Sequence, residues 1–143
     1  MSRSHSRAVV CAAFAAVAVP ILVAPPAGAE MLGVEVAAGS EGIVTGCRYT
    51  VTATLDDAST PPGTVFFWLS GGVIPGNGER LSGEPVHHPG NNTVTTSWTP
   101  TRIGSQNITA IQSVPGQCTS TKYVTVEVTG TGLDTGSSCV RTG

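Results

Sequence analysis

The sequence predicts an all-β protein, an antiparallel sandwich of about seven strands behind a cleavable leader. Three observations carry that expectation. Beyond residue 30, apolar side chains recur at every second position in short runs rich in Val, Thr and aromatics, which is the period of a strand. Clusters of Gly, Pro, Asn and Asp interrupt these runs about every ten residues, drawn from the 18 Gly and 10 Pro of a 143-residue chain. Finally, no stretch after residue 30 keeps the 3.6-residue period of an amphipathic helix.

The elements follow in order. Residues 1–29 run from a basic start through an apolar segment to Ala27 and Ala29, the small residues of an A-x-A-like cleavage site. Residues 8–27 approach the roughly 20 apolar residues that span a bilayer, but Pro20, Pro25 and Pro26 followed by Ala-Gly-Ala weigh against an anchor. A lipid attachment at Cys11 is disfavoured by Val10, which stands where a small residue is expected. Cleavage before Glu30 leaves residues 30–130 as one domain and residues 131–143 as a Gly-rich tail.

Within the domain, strand A is expected near Gly33–Ala37, B over Cys47–Leu55, C over Thr64–Leu69, D around Arg80–Val86, E over Thr93–Trp98, F over Gln106–Gln112 and G over Lys122–Val128. Pro61-Pro62-Gly63, Asn77-Gly78, Pro89-Gly90-Asn91-Asn92 and Pro115-Gly116 supply the turns. Alternation assigns the faces. Tyr49, Val51, Ala53 and Leu55 go inward on B, Val94 and Trp98 on E, and Val124, Val126 and Val128 on G. Strand C departs from the pattern: Val65, Phe67 and Leu69 form an inner face, yet Phe66 and Trp68 stand on the other side.

Charge narrows the function classes. The chain is 11% charged, well below the average of about 25%. Without Arg3 and Arg7, five basic residues face nine acidic ones, a net charge near −4. Nucleic acid and anionic membrane surfaces select clustered Lys and Arg, so neither is an expected partner, and no stable membrane span is expected once the leader is gone. Export predicts a secreted, extracellular or envelope-associated protein whose thiols meet an oxidising compartment.

The runs Tyr49-Thr50-Val51-Thr52-Ala53, Pro61-Pro62-Gly63-Thr64-Val65-Phe66-Phe67, Trp98-Thr99-Pro100 followed by Gly104, and Asn107-Ile108-Thr109-Ala110 resemble the bacterial immunoglobulin-like domains found singly or as repeats in exported actinobacterial and cell-surface proteins. The resemblance covers residues 43–130. It implies an immunoglobulin-like sandwich and, resting on strands and corners, implies no activity. The long Ser70–Asn92 segment and the lack of an internal repeat depart from that pattern.

The implied fold bears on the cysteines. After the leader the chain holds Cys47, Cys118 and Cys139, so one thiol stays unpaired and three pairings are open. In a sandwich of this kind Cys47 opens B and Cys118 lies beyond F, at opposite ends, whereas a bridge needs Cα atoms within about 7 Å. Cys139 follows G back to the end where B begins. Cys47–Cys139 is therefore the favoured pair and Cys47–Cys118 the runner-up.

A search for chemistry finds little. His87 and His88 are the histidines beyond the leader, and a nucleophilic triad would need one of them against Asp56 or Asp57. Adjacent on extended chain, their side chains diverge, which also disfavours metal. Asp56-Asp57 with Glu84 or Asp134 makes a weak calcium set. Phosphate-binding loops and dinucleotide fingerprints are missing. Asn91-Asn92-Thr93 and Asn107-Ile108-Thr109 match the glycosylation pattern. The expectation is a non-catalytic protein with no cofactor and no metal.

Binding is the better class. With C, F and G in one sheet, Phe66, Trp68, Ile111 and Tyr123 gather on its outer face. Aromatic surface of this kind marks a partner site, here for a protein or an envelope glycan. The competing expectation is that Ser70–Asn92 folds over this face, or that the register slips by one and Trp68 is core.

Overall fold

The computed structural model describes residues 30–56, 61, 63–70, 78–116 and 119–143. The leader expected over residues 1–29, Asp57 and Cys118 lie outside them.

The described chain is all β, in two sheets. Ten strands run in sequence: β1 Met31–Val36, β2 Ile43–Thr45, β3 Tyr49–Leu55, β4 Val65–Ser70, β5 Glu79–Arg80, β6 Val86–His88, β7 Thr93–Trp98, β8 Gly104–Gln112, β9 Ser120–Asp134 and β10 Cys139–Arg141. One sheet has the order β1-β3-β7-β6. The other has the order β10-β9-β8-β4-β5, with β2 lying parallel to β9. Among the described residues no helix is long and apolar enough to cross a membrane.

Alternation decides which side chains meet between the sheets. Tyr49, Val51, Ala53 and Leu55 of β3, and Val94 and Trp98 of β7, face Val65, Phe67 and Leu69 of β4, Ile108 and Ala110 of β8 and Val128 of β9, all buried. Phe67 is 2% exposed, so β4 keeps the register expected of strand C and its neighbour Trp68 is not a core residue. The core tryptophan is Trp98, 4% exposed, its ring 6.4 Å from that of Tyr49. The Trp98 indole N–H has no hydrogen-bond partner among the described residues.

Tyr49 also organises one end of the sandwich. Its hydroxyl accepts from the Val44 N–H at 2.9 Å and donates to the Gly42 carbonyl at 3.3 Å, which seats β2 against the core. Next to it Cys47 and Cys139 are joined, with an S–S distance of 2.02 Å and Cα atoms 5.7 Å apart. Because Cys47 is bonded to Cys139, the runner-up pairing with Cys118 is not the one formed.

Two expected elements are corrected. Arg80–Val86 is not one strand. Glu79 and Arg80 pair with Leu69 and Trp68 of β4, whereas Val86–His88 pairs with β7 in the other sheet. Between them the chain crosses the open side of the sandwich, where Leu81 buries its side chain and donates its N–H to the Phe67 carbonyl at 2.9 Å. The second correction concerns residues 131–143, expected as a tail. Strand β9 runs on to Asp134, and Cys139–Arg141 folds back on it with Val140 opposite Leu133.

Glycine makes this hairpin fit. A Cβ on Gly132 would stand 2.5 Å from Val44 Cγ2 and 2.9 Å from Cys47 Sγ. The bridge therefore needs a bare backbone above it. Gly132→Ala is expected to cost about 1–3 kcal/mol through overpacking, read as a lower urea midpoint with an unchanged slope.

Candidate functional site

The candidate site is the outer face of the sheet formed by β5, β4, β8 and β9. Register places its side chains in rungs. Phe66 stands opposite Ile111, and Ile111 opposite Thr121. Trp68 stands opposite Thr109, and Thr109 opposite Tyr123. Ser70, Asn107 and Thr125 form the third rung. All four residues singled out from the sequence, Phe66, Trp68, Ile111 and Tyr123, thus share one face.

They are not equally open. Tyr123 is 58% exposed, while Phe66, Trp68 and Ile111 are half-buried. Part of the cause is β5, which period two alone did not attach to this sheet. Arg80 stands beside Trp68, and its guanidinium carbon lies 4.6 Å from the centroid of the Phe66 ring. That is cation–π distance, so the arginine covers the ring while keeping its charge on the surface. The expectation of an open four-residue aromatic patch is corrected accordingly: the face is one protruding phenol beside a partly covered Phe-Trp pair.

The middle of the face is polar and buried. Thr109, flanked by Trp68 and Tyr123, is 1% exposed and its hydroxyl finds no hydrogen-bond partner among the described residues. The buried Ser70 hydroxyl likewise finds none among them. Asn107 is buried too, its Oδ1 accepting from the Thr125 hydroxyl at 2.5 Å. Their burial escaped sequence reading because Ser, Thr and Asn at outward positions are ordinarily solvated. Asn107, so enclosed, is also a poor acceptor for a glycan, whereas Asn91 lies exposed in the β6–β7 turn, where its Oδ1 accepts from the Thr93 hydroxyl.

A second concavity sits at the end of the sandwich that carries the bridge. It is a cleft of about 380 Å³ lined by Arg48, Glu79, Arg80, Ser82, Ser97 and Trp98, among others. Arg48 also borders the β9–β10 loop.

The residues weighed for catalysis or metal are placed as follows. His88 is exposed and its Nε2 lies 2.9 Å from the Thr95 hydroxyl. His87 is half-buried, and its Nε2 has no hydrogen-bond partner among the described residues. Asp56 accepts the Glu30 N–H at 2.6 Å. Glu84 lies between Leu81 and β6, and Asp134 at the end of β9 accepts from the Gly136 N–H at 2.8 Å. Among the described residues no three His, Cys, Asp or Glu side chains converge as a metal site would require.

No family model matches the chain, and comparison with curated proteins and with solved structures returns no match.

Proposed function

We propose that the chain is a secreted, non-catalytic immunoglobulin-like domain that binds a partner, an envelope protein or glycan, through the outer face built on Trp68 and Tyr123. Support for the fold family comes from strand order. In the order β1-β3-β7-β6 the first sheet follows A-B-E-D, and β9-β8-β4 follows G-F-C in the second, the arrangement of an immunoglobulin sandwich. Export is supported by the leader pattern of residues 1–29 and by the Cys47–Cys139 bridge, a bond suited to an oxidising compartment.

The observation that carries the binding reading is the split of strand β4. Phe67 fills the core, so Phe66 and Trp68 have no part in it, and Tyr123 joins them from β9. Large rings kept out of a core serve as anchors in partner interfaces. Titration of the domain with purified envelope glycan, and separately with purified envelope proteins, tests this through tryptophan fluorescence, since Trp68 is the half-exposed indole. Tyr123→Ala and Trp68→Ala are each expected to weaken binding about ten- to thirty-fold while the variants stay folded, with the melting temperature lowered by no more than about 5 °C.

The rival reading, a structural spacer without a specific ligand, draws on the partial cover of Phe66 by Arg80. It takes precedence if folded variants bind every envelope fraction as the parent does.

A further inference from the structure

We infer that Asp56 is the receptor for the α-ammonium created when the leader is removed, so that cleavage completes an ion pair closing the first sheet. The inference rests on the export reading and goes beyond it by giving the new terminus a site.

The geometry is local and specific. Met31, the first residue of β1, is wholly buried, and its N–H donates to Ser120 Oγ at 2.9 Å across to the second sheet. Glu30 is thereby fixed one residue outside the core. Its nitrogen donates to Asp56 Oδ1 at 2.6 Å, and the Asp56 N–H donates back to the Glu30 carbonyl at 3.0 Å. Asp56 immediately follows Leu55, itself paired with Met31. The acceptor and the nitrogen are therefore positioned by the same strand pairing.

Residue 30 is also the first residue after the A-x-A pattern of Ala27 and Ala29. Hydrolysis of the Ala29–Glu30 peptide bond by a leader peptidase consumes one water. Ala29 departs as a carboxylate, and the Glu30 nitrogen becomes an ammonium. Before the cut that nitrogen offers Asp56 one neutral N–H. Afterwards it offers a full positive charge and three protons, and a charge-assisted bond is about twice as strong as a neutral one. Because Asp56 is exposed, solvent screens the pair and the gain is modest.

The test is a double-mutant cycle between terminus and acceptor. One chain begins at Glu30 with a free amine; the other retains Ala27, Gly28 and Ala29 ahead of it. Asp56→Asn is expected to lower the melting temperature of the free-amine chain by about 2–5 °C and that of the extended chain by much less. Acetylating the free amine of the parent is expected to produce a comparable drop without touching Asp56. Equal losses in both chains, or no loss on acetylation, overturn the inference. N-terminal sequencing of the secreted protein separates the two readings: a first residue other than Glu30 refutes the cleavage site, while the cycle still decides the role of Asp56.

Discussion

Replacing Cys47 or Cys139 by serine is expected to lower the unfolding free energy by about 4 kcal/mol. The bridge joins residues 92 apart in sequence, so its loss frees nearly the whole domain in the unfolded state. For a loop of that size the chain-entropy model gives about 4–5 kcal/mol, with removals from small secreted domains ranging over 2–5. Cys47 adds a second cost because it is completely buried, so a serine there carries a hydroxyl out of water. Urea unfolding of both single variants checks the magnitude. Hydrogen exchange checks the location: the Thr142 N–H, bonded to the Thr131 carbonyl at 2.8 Å, is expected to lose protection before the amides of β8. A loss below about 1 kcal/mol would mean that the hairpin stands without its bond.

The second large effect separates two neighbours. Phe67→Ala is expected to cost about 3–5 kcal/mol, since it removes a large, 2% exposed side chain and leaves a cavity in the buried cluster between the sheets. Trp68→Ala, one position along and larger in volume removed, is expected to cost only about 1 kcal/mol, because its ring leaves a half-solvated surface. The order of the two is the point. A reversed order would place strand β4 one residue out of register and bring the outer-face site down with it.

The long pairings were legible because each strand carries an alternating set of apolar residues. Strands β3, β4, β7 and β8 carry enough alternating apolar residues to fix their orientation; β7 spans the residues read for it, Thr93–Trp98, whereas β3 begins two residues later than read, at Tyr49, β4 is shifted by one to Val65–Ser70, and β8 begins two residues earlier, at Gly104. Strand D was not legible, because its segment changes sheets. A single leucine, Leu81, makes the crossing, and two or three residues on either side are too few to show a period. For the same reason β2 left no trace: Ile43–Thr45 is short, and its parallel partner lies about 85 residues away. Beyond Val128 the run Thr129-Gly130-Thr131-Gly132 has no apolar stripe, and its extended form is held by outside groups. Arg141 bonds the Thr129 carbonyl at 2.9 Å, and the bridge lies beside Gly132. In the candidate site, the membership of the face was readable from period two, but its accessibility was not. Arg80 reaches Phe66 only because β5 adds to the edge of β4, a contact between segments that no local pattern encodes.

The bond between Cys47 and Cys139 also sets how the molecule responds to tension. When the domain is pulled from its two ends, force entering at Gly143 passes through the sulfur atoms to Cys47 and bypasses everything from Tyr49 to Asp134. Only residues 30–47 and 139–143 can then pay out, about twenty residue steps or roughly 70 Å of slack at full stretch. With the bond reduced, the rupture of the same domain would release several times that length. Held at both ends, the domain would therefore act as a short, stiff link under load.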